Sequence, residues 1–197
     1  MKEEVVEFYP KNQQEWRKWL ETNHQTTNAV WLIFDKKKKK RKSPDFRTNL
    51  TWSESVDEAL CFGWIDSTKQ TIDDENYKQY FTKRRPKSNW SKINKDKVKI
   101  LIDENRMTNA GYESIATAKE NGSWTYLDQV EELVLPQDLN KALMDHSGAF
   151  TFYEGLSNSI KKQLLYWVIS AKKSETRKKR ILEIASNASQ QQTKKTV

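Results

Sequence analysis

The chain has a single cysteine, Cys61, so no disulfide can form within it, and a lone thiol suits a reducing compartment. Its two histidines, His24 and His146, are distant from each other and keep no ligand spacing to Cys61. No zinc site can be assembled from such a set, and neither a metal nor a cofactor is expected. Five glycines and four prolines are few for an all-β sandwich, and no Gly-rich phosphate loop occurs. Helices with a modest sheet are the alternative. No apolar run approaches the roughly 20 residues that span a bilayer, and Met1-Lys2-Glu3-Glu4 leads into no apolar signal segment. The expectation is a cytoplasmic protein with no membrane span.

Aromatic residues and positive charge are plentiful. Eight Trp, seven Tyr and seven Phe supply a core even though only 36% of the 197 residues are hydrophobic. The net charge of +8 favours polyanionic partners such as nucleic acid, anionic lipid or phosphorylated ligands. That charge gathers in Lys36–Lys42, Lys83–Lys87 and Lys172–Arg180.

Periodicity and cap residues give the order of elements. Val5–Pro10 reads as a short strand, and Asn12 is placed to cap a helix over Gln13–Asn23, with Trp16, Trp19 and Leu20 at helical spacing. Ala29–Phe34 is a strand that runs into the self-repelling segment Lys36–Lys42, a solvated loop. Thr51 and Glu54 form a capping box, and Gly63 closes that helix in the left-handed region. Trp64-Ile65-Asp66 starts a strand, and Tyr77–Lys83 returns beside it with Tyr77, Gln79 and Phe81 on one face. Asn94 and Thr108 are placed to cap two further helices, the second ended by Gly122.

A boundary falls between Gly122 and Pro136, and the residues beyond it read as helical. Val130–Leu135 is expected as a bridge and Phe150–Leu156 as an aromatic connector. Helices over Ile160–Ala171 and Glu175–Ala188 start at Ser157 and Ser174 and pack on each other through apolar stripes. The division is an α+β domain over residues 1–125, a helical unit over 126–188 and a disordered polar tail over 189–197.

The stretch between Asp57 and Asn94 carries the chemistry. Cys61 stands near a helix C-terminus, where the dipole disfavours a thiolate, and no base is tied to it. It reads as a small buried residue, and no catalytic residue is assigned. Asp57, Glu58 and Asp66 read as solvating or turn-forming carboxylates. Arg84, Arg85, Ser88 and Trp90 bring guanidinium forks, a hydroxyl and an indole together, with Trp64 and Asp66 on the preceding strand. Forks bind carboxylate or phosphate in bidentate fashion, and an indole offers a stacking or cation–π face. Those six residues are the candidate ligand site. The structural alternative makes Trp90 a staple to the core and pairs Arg84 or Arg85 with Asp66.

Several segments resemble the YdeI / OmpD-associated (bacteriocin-protection) family: Glu58–Asp66, Phe81–Ser91, Gly111–Trp124, and Ala171-Lys172 with Glu175–Ile181. The resemblance spans Val30 to about Ala185. Where the family reads Thr-Pro-Arg-Arg, this chain has Thr82-Lys83-Arg84-Arg85, which implies a less rigid loop. The resemblance implies an α+β fold, with a small antiparallel sheet packed with helices (YjbR/CyaY-like or YdhG-like) and an all-helical C-terminal unit. It also implies a role in tolerance to bacteriocins or antimicrobial peptides as part of a stress response, with no agreed catalytic activity. A non-enzymatic protein binding an anionic small molecule or a protein partner is the first expectation. A nucleic-acid binder using the basic runs, and an enzyme with a cleft near Cys61 and Asp66, are the rivals.

Overall fold

A computed structural model of the chain describes residues 5–36 and 48–195. Of the segment Lys36–Lys42, only Lys36 lies among the described residues. The fold is mixed α+β and divides into two compact units, Met1–Thr125 and Tyr126–Val197.

The first unit holds β1 (Glu7–Phe8), α1 (Gln13–Asn23), β2 (Ala29–Asp35), α2 (Trp52–Cys61), β3 (Trp64–Thr71), β4 (Asn76–Lys83), α3 (Lys92–Asp103) and α4 (Asn109–Glu120). Its sheet has the order β1-β2-β4-β3. Pairs β2–β4 and β3–β4 are antiparallel, as expected of a small antiparallel sheet, and the two-residue β1 adds to its edge by pairing with β2 in parallel. The cause is topological: α1 intervenes between the two strands, and a crossover of that kind is what parallel neighbours need.

One face of the sheet carries the core. Val30, Leu32 and Phe34 alternate inward on β2, and Gln79 and Phe81 do so on β4. Trp16 lies at the centre, its ring 5.3 Å from Trp19 and 5.4 Å from Phe81, while its Nε1 donates to Ser55 O at 3.0 Å. Both halves of the capping box on α2 are formed, Glu54 N donating to Thr51 Oγ1 and Thr51 N to Glu54 Oε2. The Glu54 carboxyl, which accepts from Thr51 N and from Thr51 Oγ1 at 2.7 Å each, is held below its ordinary pKa by those two bonds. Gly63, at φ +69°, then turns the chain into β3.

Two caps differ from expectation. Ser91, not Asn94, caps α3, because Ser91 has the extended backbone and its Oγ accepts from Asn94 N at 3.3 Å. Thr108 does precede α4, but its hydroxyl donates to Cys61 O at 2.6 Å instead of capping.

The second unit is helical: α5 (Asp128–Glu131), α6 (Gln137–Asp145), α7 (Ala149–Glu154), α8 (Asn158–Ile169) and α9 (Ser174–Lys195). Leu139, Leu143, Tyr153, Leu165, Val168, Ile181 and Ile184 form its core. A helical turn, α5, occupies part of the expected bridge, and α7 replaces the expected connector. Aromatic residues are indifferent helix formers, so burial of Ala149 and Tyr153 on one side decides α7. Residues 189–195 continue α9 where a disordered tail was expected, and Ser189 Oγ donates to Ser147 O at 2.7 Å.

Basic residues here are partly fasteners. Arg177 forks onto Asp138 at 2.7 and 2.9 Å, and Arg180 donates to Trp167 O while its guanidinium lies 5.3 Å from the Trp167 ring. Two of the cations in the expected C-terminal basic surface are therefore engaged within the unit.

Candidate functional site

The loop from Arg84 to Ser91 links β4 to α3 and is held at nearly every turn. Arg84 N donates to Gly63 O at 2.9 Å, and Ser88 N donates to Arg85 O at 2.9 Å. Pro86 O accepts from Asn121 Nδ2 at 2.7 Å and Ser123 Oγ at 3.3 Å. Trp90 N donates to Ser123 O, and Ser91 caps α3. The loop is fastened by these bonds, although Lys83 stands where the resembling family has proline.

Arg84 is the centre of this arrangement. Its guanidinium carbon lies 3.8 Å above the buried Trp90 ring, a close cation–π stack. Its NH1 donates to Ser88 Oγ at 3.2 Å and to Asn89 O at 3.0 Å. Burial pushes its pKa down to about 10, and the Asp66 charge offsets only part of that. The group remains cationic at neutral pH. No carboxylate forms an ion pair with it among the described residues.

The expected pairing with Asp66 is absent. Asp66 accepts instead from Trp52 Nε1 at 2.9 Å and Gln79 Nε2 at 3.1 Å, which fixes it on β3. Arg85 is exposed, and its carbonyl accepts from Ser88 Oγ at 2.8 Å. Trp90 is buried and packs on Trp124 with ring centroids 4.9 Å apart, so it does staple the loop to the core. Arg84, Ser88 and Trp90 are thus in contact, with Asp66 acting on Arg84 through its charge.

The polar bookkeeping of the core singles out the same residues. Among the described residues, the buried side-chain nitrogen and oxygen atoms without a hydrogen-bond partner are Trp64 Nε1, Arg84 Nε and Trp90 Nε1. All three are donors, and all three belong to the candidate set. Buried donors are ordinarily paired, so these three are exceptions to the rule.

A second cluster escapes sequence reading. Glu58, expected as a solvating carboxylate, is buried on α2. It accepts from Gln13 Nε2 at 2.7 Å, Arg17 NH1 at 2.8 Å and Arg106 NH2 at 2.8 Å. Burial works against the charged forms of both arginines. Hydrogen bonds and the Glu58 charge outweigh it, with Glu104 adding to the effect at Arg106, and both pKa values rise above the usual arginine value. The one local signal is that Gln13 and Arg17 lie four apart on α1, next to the buried Trp16.

Cys61 lies beneath this cluster, fully buried. Burial, then the Glu58 charge, pushes its thiol up to about 11, with Arg106 and Arg17 opposing. Such a thiol is expected to resist a disulfide reagent at pH 8 in the folded protein and to react at once in urea. Because the folded pKa is raised, the stability it contributes is complete below about pH 9 and declines toward pH 11. The difference in unfolding free energy between wild type and Cys61→Ala, followed across that window, measures it.

A cavity of about 450 Å³ opens nearby, lined by Glu21, His24, Phe62, Thr108 and Glu113 among others. Neither Cys61 nor Asp66 lines it. His24 packs on Phe62 at 5.2 Å, and no group of three or more metal-ligating side chains occurs among the described residues. No described helix is long and apolar enough to cross a membrane.

Comparison with known families divides the chain along its length. Residues 8–114, more than half of it, match a family described as a domain of unknown function, DUF8412. The chain belongs to that DUF8412 family. Residues 132–191 match a second family, OmdA, described as bacteriocin-protection, YdeI or OmpD-associated. The expected resemblance is therefore narrower than Val30 to Ala185. Its C-terminal segment lies in the OmdA match, whereas Glu58–Asp66 and Phe81–Ser91 lie in the DUF8412 match. No curated protein and no solved structure matches the chain.

Proposed function

We propose that this DUF8412 protein is a cytoplasmic, non-enzymatic binding protein that holds an anionic ligand at Arg84 and contributes to bacteriocin tolerance through it. The observation that carries the reading is the set of orphaned donors on Trp64, Arg84 and Trp90. An acceptor-rich group, carboxylate or phosphate, answers both those donors and the unpaired Arg84 charge. The Trp90 face beneath the guanidinium holds the fork in one orientation. The OmdA match over residues 132–191 supports the tolerance role. With a net charge of +8 the chain repels cationic peptides at long range, which favours protection through a bound anion over capture of the peptide itself.

Thermal unfolding in inorganic phosphate, with ionic strength held constant by chloride, tests the site. The wild-type midpoint is expected to rise saturably, corresponding to about 2.7 kcal/mol at a hundredfold excess over Kd. Arg84→Gln is expected to lose that rise, while exposed Arg85→Gln keeps most of it. An equal rise in Arg84→Gln, or none in wild type, overturns the assignment.

A further inference from the structure

Clefts of about 170 and 450 Å³ open on the first unit. The smaller, between α3 and α4, has cations that are already engaged, since the Lys95 and Lys119 ammonium groups lie over the Trp124 ring. The larger lies between the end of α1 and the start of α4, and its volume falls within the roughly 300–1,000 Å³ of small-molecule sites. Phe62 and Ala110 supply its apolar part, and Glu21, His24 and Glu113 supply acceptors. The chain carries 35 Lys and Arg, yet none of them lines this cleft, so its sign is opposite to that of the protein as a whole.

What these side chains leave free defines the ligand. Glu113 is exposed on α4, and its carboxylate takes part in no ion pair or hydrogen bond among the described residues. Glu21 meets Arg17 Nε at 3.3 Å through Oε1, which leaves Oε2. Arg17, beside the cleft, is neutralised by Glu58 as well. His24 reaches Leu20 O at 2.8 Å through Nδ1. A carbonyl only accepts, so Nδ1 carries the proton and Nε2 of the neutral ring is an acceptor. The lining thus offers three acceptor groups, two of them anionic.

A primary ammonium has three donors and no acceptor, which matches that set. A quaternary ammonium would bring the charge and leave every acceptor without a hydrogen bond, and an alcohol would bring one donor and no charge. Repulsion from the net charge of +8 is screened beyond a Debye length of about 8 Å at physiological ionic strength, so the lining governs a small monocation.

We propose that the cleft between α1 and α4 binds a small organic molecule through its primary ammonium group, with Glu113 as the main counter-charge and Glu21 and His24 Nε2 as further acceptors. Arg84 does not line this cleft, and the site does not depend on it.

Saturation-transfer NMR of the full chain at constant ionic strength tests this, with benzylamine as probe against benzyl alcohol and benzyltrimethylammonium. Benzylamine is expected to bind saturably and at least tenfold more tightly than either analogue. Glu113→Gln, which breaks no contact of the fold, weakens it about fivefold, and Glu21→Gln with Glu113→Gln roughly twentyfold. Binding is unchanged in Glu120→Gln, an exposed carboxylate of α4 outside the lining, and in Arg84→Gln. The proposal falls if benzylamine does not saturate, if either analogue binds equally well, if the double variant binds as wild type does, or if Glu120→Gln or Arg84→Gln weakens binding as much as Glu113→Gln.

Discussion

Glu58→Ala is expected to lower the unfolding free energy of the first unit by about 3 kcal/mol, the largest effect of any charge removal in it. Glu58 is 3% exposed and satisfies two guanidinium groups and an amide at once. Removing one member of a buried ion cluster costs about 3–5 kcal/mol, because the remaining charges stay desolvated without their partner. The lower end applies here. Arg17 and Arg106 keep about 30% exposure, and each has a second carboxylate, Glu21 at 3.3 Å and Glu104 at 2.8 Å, toward which it can turn. Urea unfolding followed by tryptophan fluorescence reads this unit directly, since seven of the eight tryptophans lie within residues 1–125. A midpoint lower by roughly 10 °C in a thermal scan is the matching result. A loss under about 1 kcal/mol, the size of an exposed pair such as Arg177 with Asp138, would reduce Glu58 to a surface role.

Where the sequence was informative, short-range chemistry was in charge. Asn12 and Thr51 cap their helices because each side chain needs only the amide three residues on. Gly63 turns the chain because the left-handed region is local to one residue. The apolar run Ala29–Phe34, rich in β-branched and aromatic residues, and the alternation of Tyr77, Gln79 and Phe81 placed both central strands. In the candidate site, the local part was legible too: Arg84, Ser88 and Trp90 lie within seven residues and do meet.

What stayed hidden depends on contacts between distant segments. The Glu58 cluster joins residues 41 and 48 positions apart, and a lone Glu on a helix carries no mark of burial. Asp66 faced a choice of donors, and the exposed Trp52 and the buried Gln79 won it over the arginines. The parallel pairing of β1 followed from the path of α1, which periodicity does not describe. Asn94 and Ser91 compete for one cap, and composition alone does not rank them, because both residue types favour that position.

Gly111→Ala is expected to destabilise the first unit by about 3 kcal/mol, against the sign that helix propensity alone would give. In an open helix interior, exchanging glycine for alanine gains about 1 kcal/mol. At Gly111, a Cβ would stand 2.4 Å from Cys61 O and 2.6 Å from Met107 Cε. The methionine end can swing aside. The carbonyl cannot, since it belongs to the last turn of α2 and accepts from both Thr108 N at 3.1 Å and Thr108 Oγ1 at 2.6 Å. A methyl group therefore drives α4 away from α2 and breaks those bonds at the wall of the larger cavity. Two readouts should move together: the urea midpoint falls, and Cys61, covered by this contact in the wild type, reacts faster with a disulfide reagent under native conditions. A more stable Gly111→Ala variant with an unreactive thiol would mean that α4 does not rest on the Cys61 carbonyl.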